Sequence, residues 1–402
     1  MLKILIAGAG PAGARLAKNL GAAGHRVVLA DQISSPAANA FSSAALPQSE
    51  VETLQIPREC WSSLWYGWQL IDPRGLEHQW WSDAALGVVL DFAQFRTLLW
   101  QQAEQFGVEL LRGCRIALQR LSARGADVLI HHPDGRCLEE SVDLLVDATG
   151  SRRSLLRQAG IPIDSSRDPL LTGHGTEWIL QADPDSSARW RDRLSFVIGS
   201  KWVQHGYGWV FPMDGYRLKV GVCRLPPISR TSADLPGLLT DLQRLLHAFD
   251  LERCPVLDRH GGAVASTVQR LETLGGGALI AIGDAASTAN LLGGEGIRYA
   301  LKSAELLASL LIDQPSSSAP WEPEPLRLSY RHALRAELGR RWAISGRLAK
   351  RTWFGLQSAQ SDQRMAGLIQ GLSQSADAAA LSDLFFNYRF ERYGWKLIPY
   401  LS

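Results

Sequence analysis

Residues 3–31 read Lys3-Ile4-Leu5-Ile6-Ala7, then Gly8-Ala9-Gly10-Pro11-Ala12-Gly13, a segment from Ala14 to Ala23, Gly24, and Arg26-Val27-Val28-Leu29-Ala30-Asp31. The first apolar run has the length and composition of a buried parallel strand. The glycine run fits G-x-G-x-x-G, and Leu16, Ala17 and Leu20 give the next segment one apolar helical face. Gly24 stops that helix, and the second apolar run ends in an acid. Strand, glycine turn, helix, strand and acid form the context in which the motif signals dinucleotide binding. Gly8 permits the tight turn, Gly10 lets backbone approach a pyrophosphate, and Gly13 lets helix pack on strand. The helix N-terminus turns free N–H groups and a positive dipole end toward the anion. Asp31, 18 residues beyond Gly13, is placed to accept from a ribose. The acid favours a free 2′-hydroxyl, which leaves the ADP half of FAD or NAD.

The chain has 402 residues, enough for two or three domains, and its 46% hydrophobic and 20% charged content is ordinary for a soluble protein. A net charge of +2 offers no electrostatic case for nucleic acid. The five cysteines are scattered without a C-x-x-C pair, which argues against structural zinc, an iron–sulfur cluster or disulfides; no metal is expected. No apolar run approaches the roughly 20 residues of a spanning helix. A cytoplasmic protein is the expectation, without a leader segment and with peripheral membrane contact as an option. Six aromatics fall between Trp61 and Trp81; core packing and an aromatic-lined pocket are equally good readings of them.

Further along, 90–106 predicts a helix capped by Asp91, followed by a strand at 107–111. An antiparallel meander is expected around the turn Pro133-Asp134-Gly135, and a buried strand, 142–146, leads into Asp147-Ala148-Thr149-Gly150. From 161 to about 274 the pattern becomes mainly antiparallel, with a hairpin tip at Met213-Asp214-Gly215 and a helix over 236–249. Residues 278–282 return to the buried-strand type and run into Gly283-Asp284-Ala285-Ala286. Around the turn Gly293-Gly294-Glu295-Gly296-Ile297 a loop leads into a helix expected from about Glu295 to Ile312. Residues 314–325 read as a Pro/Ser-rich linker and 326–402 as mostly helical with an aromatic, basic tail. Two turns that accept electron-rich groups, far apart in the chain, suit a long bipartite ligand, and FAD is such a ligand.

These landmarks resemble FAD-dependent oxidoreductases of the glutathione-reductase-type fold. The similar branch holds geranylgeranyl reductases, aromatic monooxygenases, lycopene cyclases and flavin halogenases. The resemblance implies an α/β (α+β overall) architecture: a Rossmann FAD-binding domain, an inserted mainly antiparallel substrate domain and a helical C-terminal extension. The expected boundaries are 1–55, 90–160 and 275–315 for the FAD domain, 56–89 and 161–274 for the substrate domain, and 316–402 for the extension. By resemblance, Gly8, Gly10, Pro11, Ala12, Gly13 and Asp31 hold the ADP moiety, and Gly283 and Asp284 the ribityl chain. The helix opening at Gly294, Gly296 and Ile297 faces the flavin. Relatives carry an arginine where Phe92 stands, and Arg96, one turn on, is the candidate replacement.

Tyr207-Gly208-Trp209-Val210-Phe211-Pro212 resembles the Y-x-W-x-F-P run of geranylgeranyl reductases, although their P-C-G-G stretch is replaced by Pro36-Ala37-Ala38-Asn39. A halogenase would show W-x-W-x-I-P, and an amphipathic packing strand is the plain alternative. The implied activity is reduction of carbon–carbon double bonds in a hydrophobic isoprenoid. Such a bond accepts hydride only when an acid protonates it from the other side. His205 and Tyr207 are the candidate acids, with Trp209 and Phe211 lining the substrate channel on the same face; His260 is a weaker candidate. A monooxygenase, a cyclase and a flavin-bound lipid carrier are the rival functions. Without a second G-x-G-x-x-G, the electron donor would be transient NAD(P)H or a protein such as ferredoxin. Arg152 and Arg153 read as phosphate contacts or, more simply, as salt-bridge residues at the surface or to the C-terminal domain.

Overall fold

Ile4, Leu5 and Ile6 are fully buried in succession, as a strand covered on both faces requires. In the computed structural model, which describes residues 1–228, 235–313, 321–391 and 393, this strand is central in a six-stranded sheet. The order is Gly275–Gly276, Leu279–Ala281, Leu144–Asp147, Lys3–Ala7, Arg26–Asp31 and Glu109–Arg112. All neighbours are parallel except the first pair. Helix Pro11–Ala22 crosses from strand Lys3–Ala7 to strand Arg26–Asp31 and buries Leu16, Ala17 and Leu20. The register pairs Ala7 with Asp147 and Asp147 with Ala281. Three strands therefore end level, and the turns at Gly8, Ala148 and Gly283 emerge side by side. Open α/β sheets bind ligands at such an edge.

A seven-stranded sheet runs Val256–Ser266, Leu171–Gln181, Arg217–Arg224, Gly206–Pro212, Arg193–Ile198, Gly67–Ile71 and Glu77–Trp81. It is antiparallel except where 193–198 meets 67–71. Every residue of Gly206–Pro212 is buried. One face packs on helix Leu238–Ala248 through Leu242, Leu245 and Leu246, and the other turns toward the six-stranded sheet. Two three-stranded sheets complete the strands: the expected meander, 115–142, and Ala45–Pro47 with Gly87–Leu90 and Trp61–Trp65.

Several local expectations shift. The 236–249 helix begins at Leu238, because Gly237 is still extended, and the helix expected from Glu295 begins at Ile297. Residues 314–320 of the expected linker lie outside the described residues, and Pro323 already opens a helix that runs to Gly355, since proline suits a first turn. Two more helices follow, Ala359–Ser375 and Ala378–Phe385. Of the aromatic tail, 392 and 394–402 lie outside the described residues. No helix among the described residues is long and apolar enough to cross a membrane.

Candidate active site

The level strand ends and the inner face of the seven-stranded sheet enclose one cavity of about 820 Å³, a size typical of ligand pockets. Its lining divides in two. Glycine turns (Gly10–Ala12, Ala148–Arg152, Ile282–Asp284 and Gly293–Ile297) form one wall, and Phe196, Tyr207, Trp209 and Phe211 face it from the sheet.

The glycine wall has the shape of a cradle. Gly8 sits at φ +106°, and a Cβ there would lie 2.2 Å from the Ala148 carbonyl oxygen; at Gly13 it would lie 1.9 Å from the Gly8 carbonyl oxygen. A Cβ at Gly10 or Gly293 would meet nothing within 4 Å, so at both points backbone opens on the cavity. Neither helix Pro11–Ala22 nor helix Ile297–Ile312 has a side-chain N-cap, which leaves first-turn N–H groups available at Ala12, Gly13 and beyond. Asp31 accepts from the Ala9 N–H (2.6 Å) and the Ile33 N–H (3.0 Å), so its carboxylate braces the first glycine turn. Asp284 opens on the cavity. Burial pushes its carboxyl up to about 6, against the opposing pull of Arg153. These features fit a long ligand with an anionic centre, an adenosine end and a polyol arm, as FAD has.

Arg96 lines the cavity beside Phe92 and donates to the carbonyls of Pro36 and Ala38 (2.6 Å for the latter). It holds the 33–44 loop against the pocket. Arg153 is neither a phosphate contact nor a surface residue. It is fully buried and donates to the carbonyls of Ala285 (2.8 Å) and Ala265 (3.1 Å) and to Ser287 Oγ (3.1 Å), tying the Asp284 turn to both sheets. Arg152 lines the cavity.

The structure separates the two candidate acids. His205 has φ +60°, so the period-two alternation that would put it on the Tyr207 face fails at this residue. Its ring is fully buried, its Nδ1 lies 3.0 Å from the Trp353 carbonyl oxygen, and it does not line the cavity. It fastens the sheet to the 323–355 helix and stands apart from the cavity that Tyr207 lines. His260 also stands outside the cavity lining. Tyr207 does line it, and a Cβ at Gly294 would lie 3.2 Å from its hydroxyl. Burial raises the Tyr207 pKa well above the usual phenol value. Its cross-strand neighbour Cys223, also a lining residue, has its thiol pushed up to about 12 by burial. Both groups therefore stay protonated near neutral pH.

Trp209 lies across Gly221, where a Cβ would come within 2.1 Å of the indole. Its Nε1 donates to the fully buried Glu177 carboxylate at 3.0 Å. Behind Glu177 stands His260, 3.9 Å away, with its Nε2 2.9 Å from Asp258. Burial opposes the imidazolium, but these two carboxylates outweigh it and hold the His260 pKa above the ordinary value.

None of the 61–81 aromatics lines the cavity. Trp65 and Trp68 pack with Phe385 and Phe386 in the core, which settles their reading as packing. The distal walls come instead from Trp353 in the 323–355 helix and from Phe386, just past the end of helix Ala378–Phe385. Neither belongs to a motif, and no spacing pattern in the chain would have brought them to the site.

The family model described as tryptophan halogenase matches residues 70–324. A digeranylgeranylglycerophospholipid reductase of Haloferax volcanii is 27% identical over 318 residues, 76% of this chain and 74% of that protein. A menaquinone reductase of Mycobacterium tuberculosis is 27% identical over 382 residues, 86% of this chain and 83% of that protein. Among solved structures, a geranylgeranyl bacteriochlorophyll reductase-like protein from Thermoplasma acidophilum superposes with a TM-score of 0.81 at 19% identity, covering 98% of this chain and 97% of that one. The halogenase PltM in complex with FAD gives 0.65 at 16% identity, over 95% and 85%. These superpositions show that the chain shares the fold of both proteins.

Proposed function

The chain belongs to the tryptophan halogenase family, and on that premise we propose an FAD-dependent oxidoreductase that reduces carbon–carbon double bonds of a hydrophobic, isoprenoid-like substrate. One observation carries the reading: the glycine cradle and the aromatic strand face share a single cavity. A ligand bound along the first would present its reactive end to whatever fills the second. The names of two relatives, one a geranylgeranyl-lipid reductase and one a menaquinone reductase, support reduction.

Gly8, Gly10, Pro11, Ala12 and Gly13 would hold the pyrophosphate, and Asp31 the adenosine side. Gly283 and Asp284 would hold the ribityl hydroxyls, and the Gly294–Ile297 helix start the flavin edge. FAD, when bound, supplies the hydride chemistry. Tyr207 is the proposed proton donor, because a buried phenol kept neutral retains its proton until a developing carbanion accepts it. Trp209 and Phe211 orient the chain and exclude water. The reductant would be NAD(P)H or a protein donor such as ferredoxin. The domain roles follow: an FAD domain from 1–55, 90–160 and 275–315, and a substrate domain from 56–89 and 161–274.

A flavin monooxygenase or halogenase is the second reading, favoured by the family match. Anaerobic incubation of FAD-loaded protein with dithionite and a polyprenyl lipid separates the two. Products heavier by two hydrogens per double bond are expected, and product formation that requires oxygen would refute the reductase reading. Protein that refuses FAD on reconstitution would overturn both.

A further inference from the structure

Helix Pro323–Gly355 breaks at Gly339, whose φ of 65° and ψ of −172° are not helical. From Leu338 to Ser361 the chain contains no Asp or Glu, yet it carries Arg340, Arg341, Arg347, Lys350 and Arg351. At 100° per residue Arg340, Arg347 and Arg351 fall within one narrow sector, with Lys350 and Phe354 beside it. All four cations are exposed. Among the described residues Arg340, Arg347 and Lys350 form no ion pair with a carboxylate, whereas Arg341 pairs with Glu391.

The opposite face is apolar and anchored. Trp342, Ala349 and Trp353 are buried, and Trp353 donates to the carbonyls of Leu291 and Leu292 while walling the cavity. One helix thickness, about 10 Å, thus separates the ligand space from a cationic surface.

A solvated charged face would place acids among its bases to limit repulsion, and this one has none over four turns. Half-buried Ile344 and Phe354 lie among the cations, and Lys350 Nζ sits 5.9 Å from the Phe354 ring centre. Clustered bases interleaved with apolar side chains on one helical face match an interfacial helix at an anionic lipid surface.

We propose that the 340–354 face docks on an anionic bilayer and holds the cavity against the source of its hydrophobic substrate. The docking rests on the hydrophobic-substrate reading for its purpose but not for its test. FAD-loaded protein is sedimented with phosphatidylcholine vesicles and with vesicles containing about one-quarter phosphatidylglycerol. Binding to the anionic vesicles alone is expected, and its loss near 0.5 M salt follows from screening. The triple variant Arg340→Gln/Arg347→Gln/Lys350→Gln should partition about a hundredfold more weakly. Its flavin content, circular dichroism and activity on detergent-dispersed substrate should not change. Equal binding to both vesicle types, no binding, or unchanged binding by the folded variant would overturn the proposal. So would salt-sensitive capture of an acidic redox protein by this face in the absence of vesicle binding. Vesicle binding by a protein that reduces no polyprenyl lipid would keep the docking surface and remove the substrate reading. If the triple variant misfolds, Arg347→Gln alone should weaken partitioning about fivefold, and no change there counts against the proposal.

Discussion

Replacing Asp284 by Asn should make the flavin-free protein more stable and the flavin less tightly held. Burial lifts the folded-state pKa of this carboxyl to about 6, from an ordinary value of 3.8. A group whose folded pKa is raised binds more protons folded than unfolded, so stability falls as pH rises through the interval between the two values. The interval of about two units corresponds to roughly 3 kcal/mol of destabilisation above pH 6, little of it present near pH 4. Asparagine does not titrate and avoids the cost of a buried charge. Urea denaturation of flavin-free protein should then show Asp284→Asn more stable by about 3 kcal/mol near pH 8, by about half that near pH 5 and by a few tenths near pH 4. FAD affinity should move the other way. A hydrogen bond from a ribityl hydroxyl to a neutral amide is worth about 1 kcal/mol less than one to a carboxylate, so Kd should rise at least fivefold. A stability gap that does not change with pH, or unchanged FAD affinity, would refute the reasoning.

Tyr207→Phe should lower the rate of double-bond reduction about a hundredfold or more while flavin absorbance and flavin reduction by dithionite stay normal; an unchanged single-turnover rate excludes Tyr207 as the donor. Arg153→Met removes three hydrogen bonds, two to buried carbonyls and one to the Ser287 hydroxyl, which keeps Thr267 as a partner; this should cost roughly 3 kcal/mol in denaturation experiments and weaken FAD binding as well. Gly13→Val would force a side chain into the Gly8 carbonyl oxygen, and dialysed protein should retain no flavin. Glu177→Leu leaves the Trp209 N–H unpaired against the cavity wall, raising KM for the lipid more than it lowers kcat; an unchanged KM would deny Glu177 a role in placing Trp209.

The fold was largely legible because its strongest signals are local. Glycines at Gly8 and Gly13 answer to contacts within a few residues or at an adjacent strand end, and the apolar runs at 3–7, 142–146 and 278–282 read as covered strands. The site was legible where it coincides with those turns. It was not where a side chain's role depends on distant backbone. Arg153 follows a strand-end turn like many surface arginines, and only the arrival of 265 and 285–287 makes it an internal tie. The alternation rule failed at His205 because this residue is left-handed and lies in the turn before the strand, which begins only at Gly206; no residue type announces that. The 61–81 tryptophans suggested a pocket by composition, but composition does not tell which aromatics face a void.

The walls of the cavity also set an order of assembly. The cradle needs strands from both ends of the first 281 residues, and the far wall waits for Trp353 and Phe386. During synthesis the pyrophosphate turn therefore emerges hundreds of residues before the surfaces that enclose a ligand. Flavin capture on the ribosome would be loose and reversible, and retention would begin only when the last helices dock. Such long-range closure is slow, and it exposes the aromatic strand face to solvent meanwhile. A cell short of flavin should thus accumulate this protein in aggregates rather than as a patient, folded apoprotein.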